Sequence, residues 1–80
     1  MNCAMVTGCM GGIGYAVTKT LLEDGYFVVG MGTSAAEKKQ EQIAALGENF
    51  LYVSGNVANA DDRAAFLQTA LQTGLRLQVL

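Results

Sequence analysis

The 80-residue chain has no histidine, no proline and no tryptophan, and only two cysteines. Without histidine a mixed metal site has no partners, and the spacing of Cys3 and Cys9 fits no zinc pattern, so no metal site is expected. A Cys3–Cys9 disulfide is not expected either, because one cysteine falls in an apolar run and the other in a glycine loop. Both read as reduced thiols, with some thiolate character at Cys9, beside a helix start, as the alternative. The lack of proline removes the usual hinge signal, and no repeat, linker or low-complexity segment takes its place. Five Lys and Arg against seven Asp and Glu leave a net charge of −2, too few and too scattered for a nucleic-acid footprint. No apolar run approaches the ~18 residues of a membrane span, and Met1–Val6 lacks the charged start and long apolar centre of a signal peptide. The expected location is the cytoplasm, with no membrane partner.

What the chain does have is glycine, ten residues of it, in a background that is 51% hydrophobic, a composition of α/β core. The central stretch is Val6-Thr7-Gly8-Cys9-Met10-Gly11-Gly12-Ile13-Gly14. Glycines at a strand-to-helix turn let the backbone curl tightly and let a phosphate reach N–H groups that a β-carbon would shield. The positive end of the following helix then faces the anion. A Walker A loop is excluded, since no Gly-Lys-Ser or Gly-Lys-Thr follows.

Cys3–Val6 reads as a buried strand. Ile13, Ala16, Val17, Thr20 and Leu21 recur as one helical stripe, which predicts a first helix over about Gly12–Asp24 with its sheet-facing side on those residues. Tyr26–Met31 is aromatic and β-branched, a second strand. Ser34-Ala35-Ala36-Glu37 has capping-box spacing and predicts a second helix from there to Leu46, ended by Gly47. Phe50–Ser54 is a third strand. Asn59, with Asp61 and Asp62 behind it, caps a third helix whose Phe66, Leu67, Ala70 and Leu71 face a sheet until Gly74. Leu77–Leu80 begins a fourth strand.

This alternation implies parallel pairing through right-handed crossovers. With strands 1, 2 and 3 stepping outward and strand 4 jumping back beside strand 1, helices 1 and 2 share one face and helix 3 takes the other. The gap between strands 1 and 4 is then a topological switch point, and ligands bind there, outside the carboxyl ends of the strands. The glycine loop lies at that end.

Thr7-Gly8-Cys9-Met10-Gly11-Gly12-Ile13-Gly14 resembles the Thr-Gly-x-x-x-Gly-x-Gly fingerprint of the short-chain dehydrogenases/reductases. Asn56-Val57 resembles the family's Asp/Asn-Val pair after strand 3, and Arg76–Leu80 resembles the run into its Asn-Asn-Ala-Gly motif, with Gln78 where an Asp is common. Gly8, Gly11 and Gly14 also satisfy the spacing of the longer, sugar-nucleotide-modifying branch; Asn56 and Ile13 favour the short one. Within the family, Met10–Gly14 and Gly55–Ala58 look most like the acetoacetyl-CoA and 3-oxoacyl-carrier-protein reductases. The resemblance implies the N-terminal part of a single dinucleotide-binding domain spanning residues 1–80: a three-layer, Rossmann-type doubly wound parallel sheet of which only the first βαβαβαβ portion is present. It implies that Thr7, Gly8, Gly12, Ile13 and Gly14 shape a pyrophosphate site and that Asn56 and Val57 hold the adenine.

An NAD site wants a carboxylate after strand 2 to bond both ribose hydroxyls, and that carboxylate would repel the 2′-phosphate of NADP. This chain has Gly30-Met31-Gly32-Thr33-Ser34 there. The missing acid favours NADP(H) over NAD(H). Thr33, Ser34 and Lys38 are the candidate 2′-phosphate residues; Lys39 could supply the charge instead, and the start of helix 2 would add its dipole. Tyr15 and Lys19 share the Tyr-x-x-x-Lys spacing that the family uses for catalysis. They lie on helix 1, on the side away from the predicted stripe, and are expected to be solvated. No position matches the family's catalytic Asn, Ser, Tyr and Lys, so this chain alone is expected to be inactive.

The resemblance thus implies NADPH-dependent reduction of a 3-oxoacyl thioester by the whole protein, in which this chain binds the cofactor. The competing readings are a nucleotide-binding module without catalysis, a truncated chain that binds nothing, and a family member acting on another carbonyl or alcohol. A chain this short buries only about 60–65% of its unfolded surface, so a homo-oligomer or a complementing chain is expected across the open edge.

Overall fold

A computed structural model describes residues 1–79. Four strands, β1 (Asn2–Thr7), β2 (Phe27–Gly32), β3 (Phe50–Ser54) and β4 (Arg76–Val79), alternate with three helices, α1 (Gly12–Glu23), α2 (Gln40–Ala45) and α3 (Ala60–Leu71). All the strands pair in parallel, in the order β3-β2-β1-β4. β4 lies beside β1, so the switch point falls where expected, at the carboxyl end of β1. The predicted Leu80 end of the fourth strand lies outside the described residues.

Successive side chains of β1 and β2 point to opposite faces, and both faces are covered. On one, Cys3, Met5, Val29 and Met31 meet Phe66 and Ala70 of α3. On the other, Ala4, Val6, Cys9, Val28 and Phe50 form a core covered by Leu21 and Leu22 of α1 and Ile43 and Leu46 of the α2 region. This is the doubly wound arrangement, with α1 and α2 on one side and α3 on the other. Each large apolar side chain so buried stabilises the sheet by roughly 1.5–3 kcal/mol.

Four local expectations are corrected. The sheet-facing side of α1 is Gly14, Thr18, Leu21 and Leu22, not the stripe through Ile13, Ala16, Val17 and Thr20, and Ile13 is 85% exposed. Thr18 tolerates complete burial because its hydroxyl donates to the Gly14 carbonyl at 2.8 Å. Helix 2 does not start on a Ser34 cap. A 3₁₀ turn runs over Ala36–Lys39 and only then does the six-residue α2 begin, neither with a side-chain cap. Such a short, bent segment has little axial dipole to offer an anion. On α3 only Phe66 and Ala70 are buried, while Leu67 and Leu71 are exposed. Tyr15 is half-buried, not solvated, and donates to the Gln42 carbonyl at 3.1 Å.

The α3 cap forms as expected. The Asn59 side chain accepts from the Asp62 amide at 3.1 Å, and Asp61 and Asp62 occupy the first turn.

Candidate functional site

At the end of β1 the chain turns at Gly8, whose φ of +63° is one that L side chains rarely adopt. The Gly11 amide closes the turn onto the Gly8 carbonyl at 3.1 Å, and the Cys9 amide donates to Met31 at 3.3 Å, tying the loop to β2. Gly14 then passes directly over Gly8: a β-carbon there would lie 1.9 Å from the Gly8 carbonyl oxygen and 2.7 Å from its carbon. Only glycine allows α1 to start this close to the strand. At Gly12 a β-carbon would meet nothing within 4 Å, so that side of the turn is open to a ligand.

The start of α1 is left without an internal anion. Gly11, at the N-cap, makes no side-chain cap bond, and the first turn holds no acidic residue. The amides there remain available to an external acceptor.

The loop borders a cleft of about 540 Å³ at the carboxyl edge of the sheet. Thr7, Gly8, Met10 and Gly11 form one wall, Met31, Gly32, Thr33, Ser34 and Lys39 the second, and Gly55, Asn56 and Val57 the third. The third wall is held by α3. The Asn56 amide donates to Asp62 Oδ2 and its side-chain Oδ1 accepts from Ala58, both at 2.9 Å, while Arg63 Nη1 donates to the Val57 carbonyl at 2.7 Å. Val57 is thereby held 51% exposed beside the cleft, an apolar surface on which a flat ring can lie.

Of the residues singled out from sequence, Thr7, Gly8, Thr33, Ser34, Asn56 and Val57 come together in this cleft. Gly12 and Ile13 stand exposed at the helix start above it, and Gly14 acts through packing. Lys38 is exposed and does not line the cleft; the half-buried Lys39 does, and is the cation among its lining residues, which include no carboxylate. The two lysines share one 3₁₀ turn, and spacing alone does not tell them apart.

Cys9 is not a cradle residue. Its side chain is completely buried beneath the loop, and burial pushes its thiol from the ordinary 9.0 up to about 11. The thiolate alternative is thus corrected: at neutral pH Cys9 is a protonated core residue. Burial raises the Cys3 thiol as well. Among the described residues no group of three or more His, Cys, Asp or Glu is placed to hold a metal ion, and no helix is long and apolar enough to cross a membrane.

A doubly wound parallel sheet with a glycine turn opening an uncapped helix at the switch point defines a Rossmann-type nucleotide-binding fold. The short chain dehydrogenase family profile matches residues 2–80, and the chain belongs to that family. It is 43% identical over 75 residues to the acetoacetyl-CoA reductase of Cupriavidus necator, covering 89% of this chain and 30% of that protein. With a 3-oxoacyl-[acyl-carrier-protein] reductase of Synechocystis it shares 36% identity over 80 residues, 96% of this chain and 32% of the relative. The 3-hydroxyacyl-CoA dehydrogenase type-2 of Mycobacterium avium superposes with a TM-score of 0.83 at 35% identity, over 99% of this chain and 32% of that one. The chain therefore spans about a third of the length of the relatives it matches. Family members bind nicotinamide dinucleotides, and the residues present fit such a group: the turn left open at Gly12, the acid-free start of α1 and the three-walled cleft.

Proposed function

We propose that this chain is the NADPH-binding, N-terminal part of a single Rossmann domain in a reductase acting on a 3-oxoacyl thioester of the acetoacetyl-CoA type, giving the 3-hydroxyacyl thioester. The observation that carries the cofactor choice is the second wall of the cleft, where Gly32, Thr33 and Ser34 present no acid and Lys39 supplies a positive charge. A 2′-phosphate gains a charge-assisted contact there, whereas a wall with a carboxylate would repel it. The substrate class rests on the acetoacetyl-CoA reductase at 43% identity.

In this assignment the first-turn amides of α1 at Gly12 and Ile13 donate to the pyrophosphate oxygens, with Thr7 and Gly8 shaping the floor. Gly14 keeps the helix close. Asn56 and Val57 bound the adenine, and Thr33, Ser34 and Lys39 the phosphorylated ribose, with Lys38 contributing only at longer range. The bound nicotinamide supplies the hydride. This chain's residues hold and orient the dinucleotide, and the residues that hand a proton to the substrate lie outside it, so the 80 residues alone are inactive.

Further chain, or a second copy, covers the free edge of β4 and the exposed Ile13, Val17, Leu67 and Leu71. The cytoplasm is the compartment we assign.

The test is to assay the full-length protein with acetoacetyl-CoA and each cofactor. Reduction with NADPH at a kcat/KM at least about tenfold above that with NADH supports the proposal, about 1.4 kcal/mol of discrimination. A preference for NADH overturns the cofactor assignment, and NADPH binding without thioester reduction overturns the substrate assignment.

A further inference from the structure

The wall of the cleft that carries Ser34 and Lys39 has little structure of its own. Between Thr33 and Gln42 it consists of a 3₁₀ turn and the beginning of a six-residue helix, neither capped by a side chain. Two tyrosines from other elements hold it. Tyr52, on β3, donates its hydroxyl to the Ser34 carbonyl at 2.5 Å, and Tyr15, on α1, donates to the Gln42 carbonyl at 3.1 Å. The first bond fixes the segment where it leaves β2, and the second fixes it just beyond Lys39.

The route taken by Tyr52 is built into the neighbouring strand. A β-carbon at Gly32 would stand 2.7 Å from the Tyr52 hydroxyl oxygen, so the glycine leaves the space through which the ring reaches Ser34. Neither tyrosine lines the cleft itself. Their hydroxyls act on a ligand only through the backbone they hold.

We infer that Tyr52, seconded by Tyr15, is a positioning residue for cofactor selectivity: its hydroxyl fixes the Ser34 peptide and so sets where Ser34 and Lys39 meet a 2′-phosphate. A recognition group held within a few tenths of an ångström binds without first losing conformational freedom, and a loose one does not. The inference rests on the NADPH reading above. Lys39 is the charge, and Tyr52 decides whether the charge is in place.

The test uses Tyr52→Phe and Tyr15→Phe in the full-length protein, each keeping the ring and removing one oxygen. Calorimetric titration with 2′,5′-ADP and 5′-AMP isolates the ribose phosphate from the nicotinamide, and NADPH and NADH are titrated in parallel. Loss of one hydroxyl–carbonyl bond predicts that Tyr52→Phe weakens 2′,5′-ADP and NADPH by about three- to tenfold while 5′-AMP and NADH change less than about twofold. Tyr15→Phe should act in the same direction and less, since Gln42 lies farther from the cleft. Equal weakening of both members of each pair, or no weakening, with a lowered thermal midpoint, makes the hydroxyl merely structural and overturns the inference. If the wild type itself prefers 5′-AMP and NADH, the NADPH reading fails and the inference falls with it, an outcome visible before any variant is made.

Discussion

α1 and α3 are each 12 residues long and start at the carboxyl edge of the same sheet, yet their first turns are built in opposite ways. α3 satisfies itself: Asn59 accepts the Asp62 amide, Asp61 and Asp62 face the positive end of the helix, and the Asp62 carboxylate also takes the Asn56 amide. α1 has glycine at the N-cap, no side-chain cap and no acid in its first turn. A cap of the α3 kind is worth about 1 kcal/mol, and a carboxylate beside the helix start typically adds 0.3–1 kcal/mol. α1 forgoes both, and at the same place brings its backbone over Gly8 so closely that no β-carbon fits. The difference separates a helix start satisfied by its own side chains from one whose amides have no side-chain partner, the start to which the proposed function assigns the pyrophosphate.

The most damaging way to break this comparison is Gly14→Ala. Its β-carbon would collide with the Gly8 backbone rather than with a flexible side-chain end, so the loop or the helix has to move. A loss of about 3 kcal/mol or more is expected in urea unfolding, together with loss of dinucleotide binding. Gly11→Asp sharpens it by giving α1 what α3 has. Gly11 already has φ −76° and ψ 166°, and a β-carbon there meets only the Gly8 oxygen, at 3.5 Å. Stability should rise by about 0.5–1 kcal/mol while NADPH affinity, followed by fluorescence titration, falls at least about tenfold. Unchanged affinity would show that the start of α1 is not the anion site. The reciprocal change, Asn59→Ala, should lower stability by about 1 kcal/mol and leave NADPH affinity within about twofold.

The smallest effect is confined to alkaline pH. The Cys9 thiol beneath the α1 loop is held at about 11 in the folded chain against 9.0 when exposed. Below pH 9 both states keep the proton and stability is unaffected. Between about pH 9 and 11 the unfolded chain releases it first, so stability falls as pH rises. Comparing the pH dependence of unfolding in wild type and Cys9→Ala isolates this contribution, and an identical alkaline limb in both would refute it.

Much of the fold was legible because apolar runs, glycines and one cap occur in the right order. The Asn59 cap, the third strand and the return of β4 to β1 are all found as read. The rotation of α1 was not. Ile13, Ala16, Val17 and Thr20 obey helical spacing, but so do Gly14, Thr18, Leu21 and Leu22, one residue out of phase, and the second set contains the glycine that must face Gly8. The Gly12-Ile13-Gly14 pattern carried that signal, though hydrophobicity pointed the other way. Ser34 was misread for a related reason. Its local pattern offers a cap, but the 3₁₀ turn begins two residues later, at Ala36, and the Ser34 carbonyl serves Tyr52, 18 residues away.

From the sequence alone come the order of elements, the switch point, the glycine turn and the missing acid after β2, since each is a property of neighbouring residues. The tertiary structure alone decided which side of α1 is buried, that Lys39 rather than Lys38 enters the cleft, and that Tyr52 crosses Gly32 to hold the wall between them. The physical reason is that local spacing specifies a period but not a phase. Phase is set by contacts between atoms that the chain brings together only when it folds.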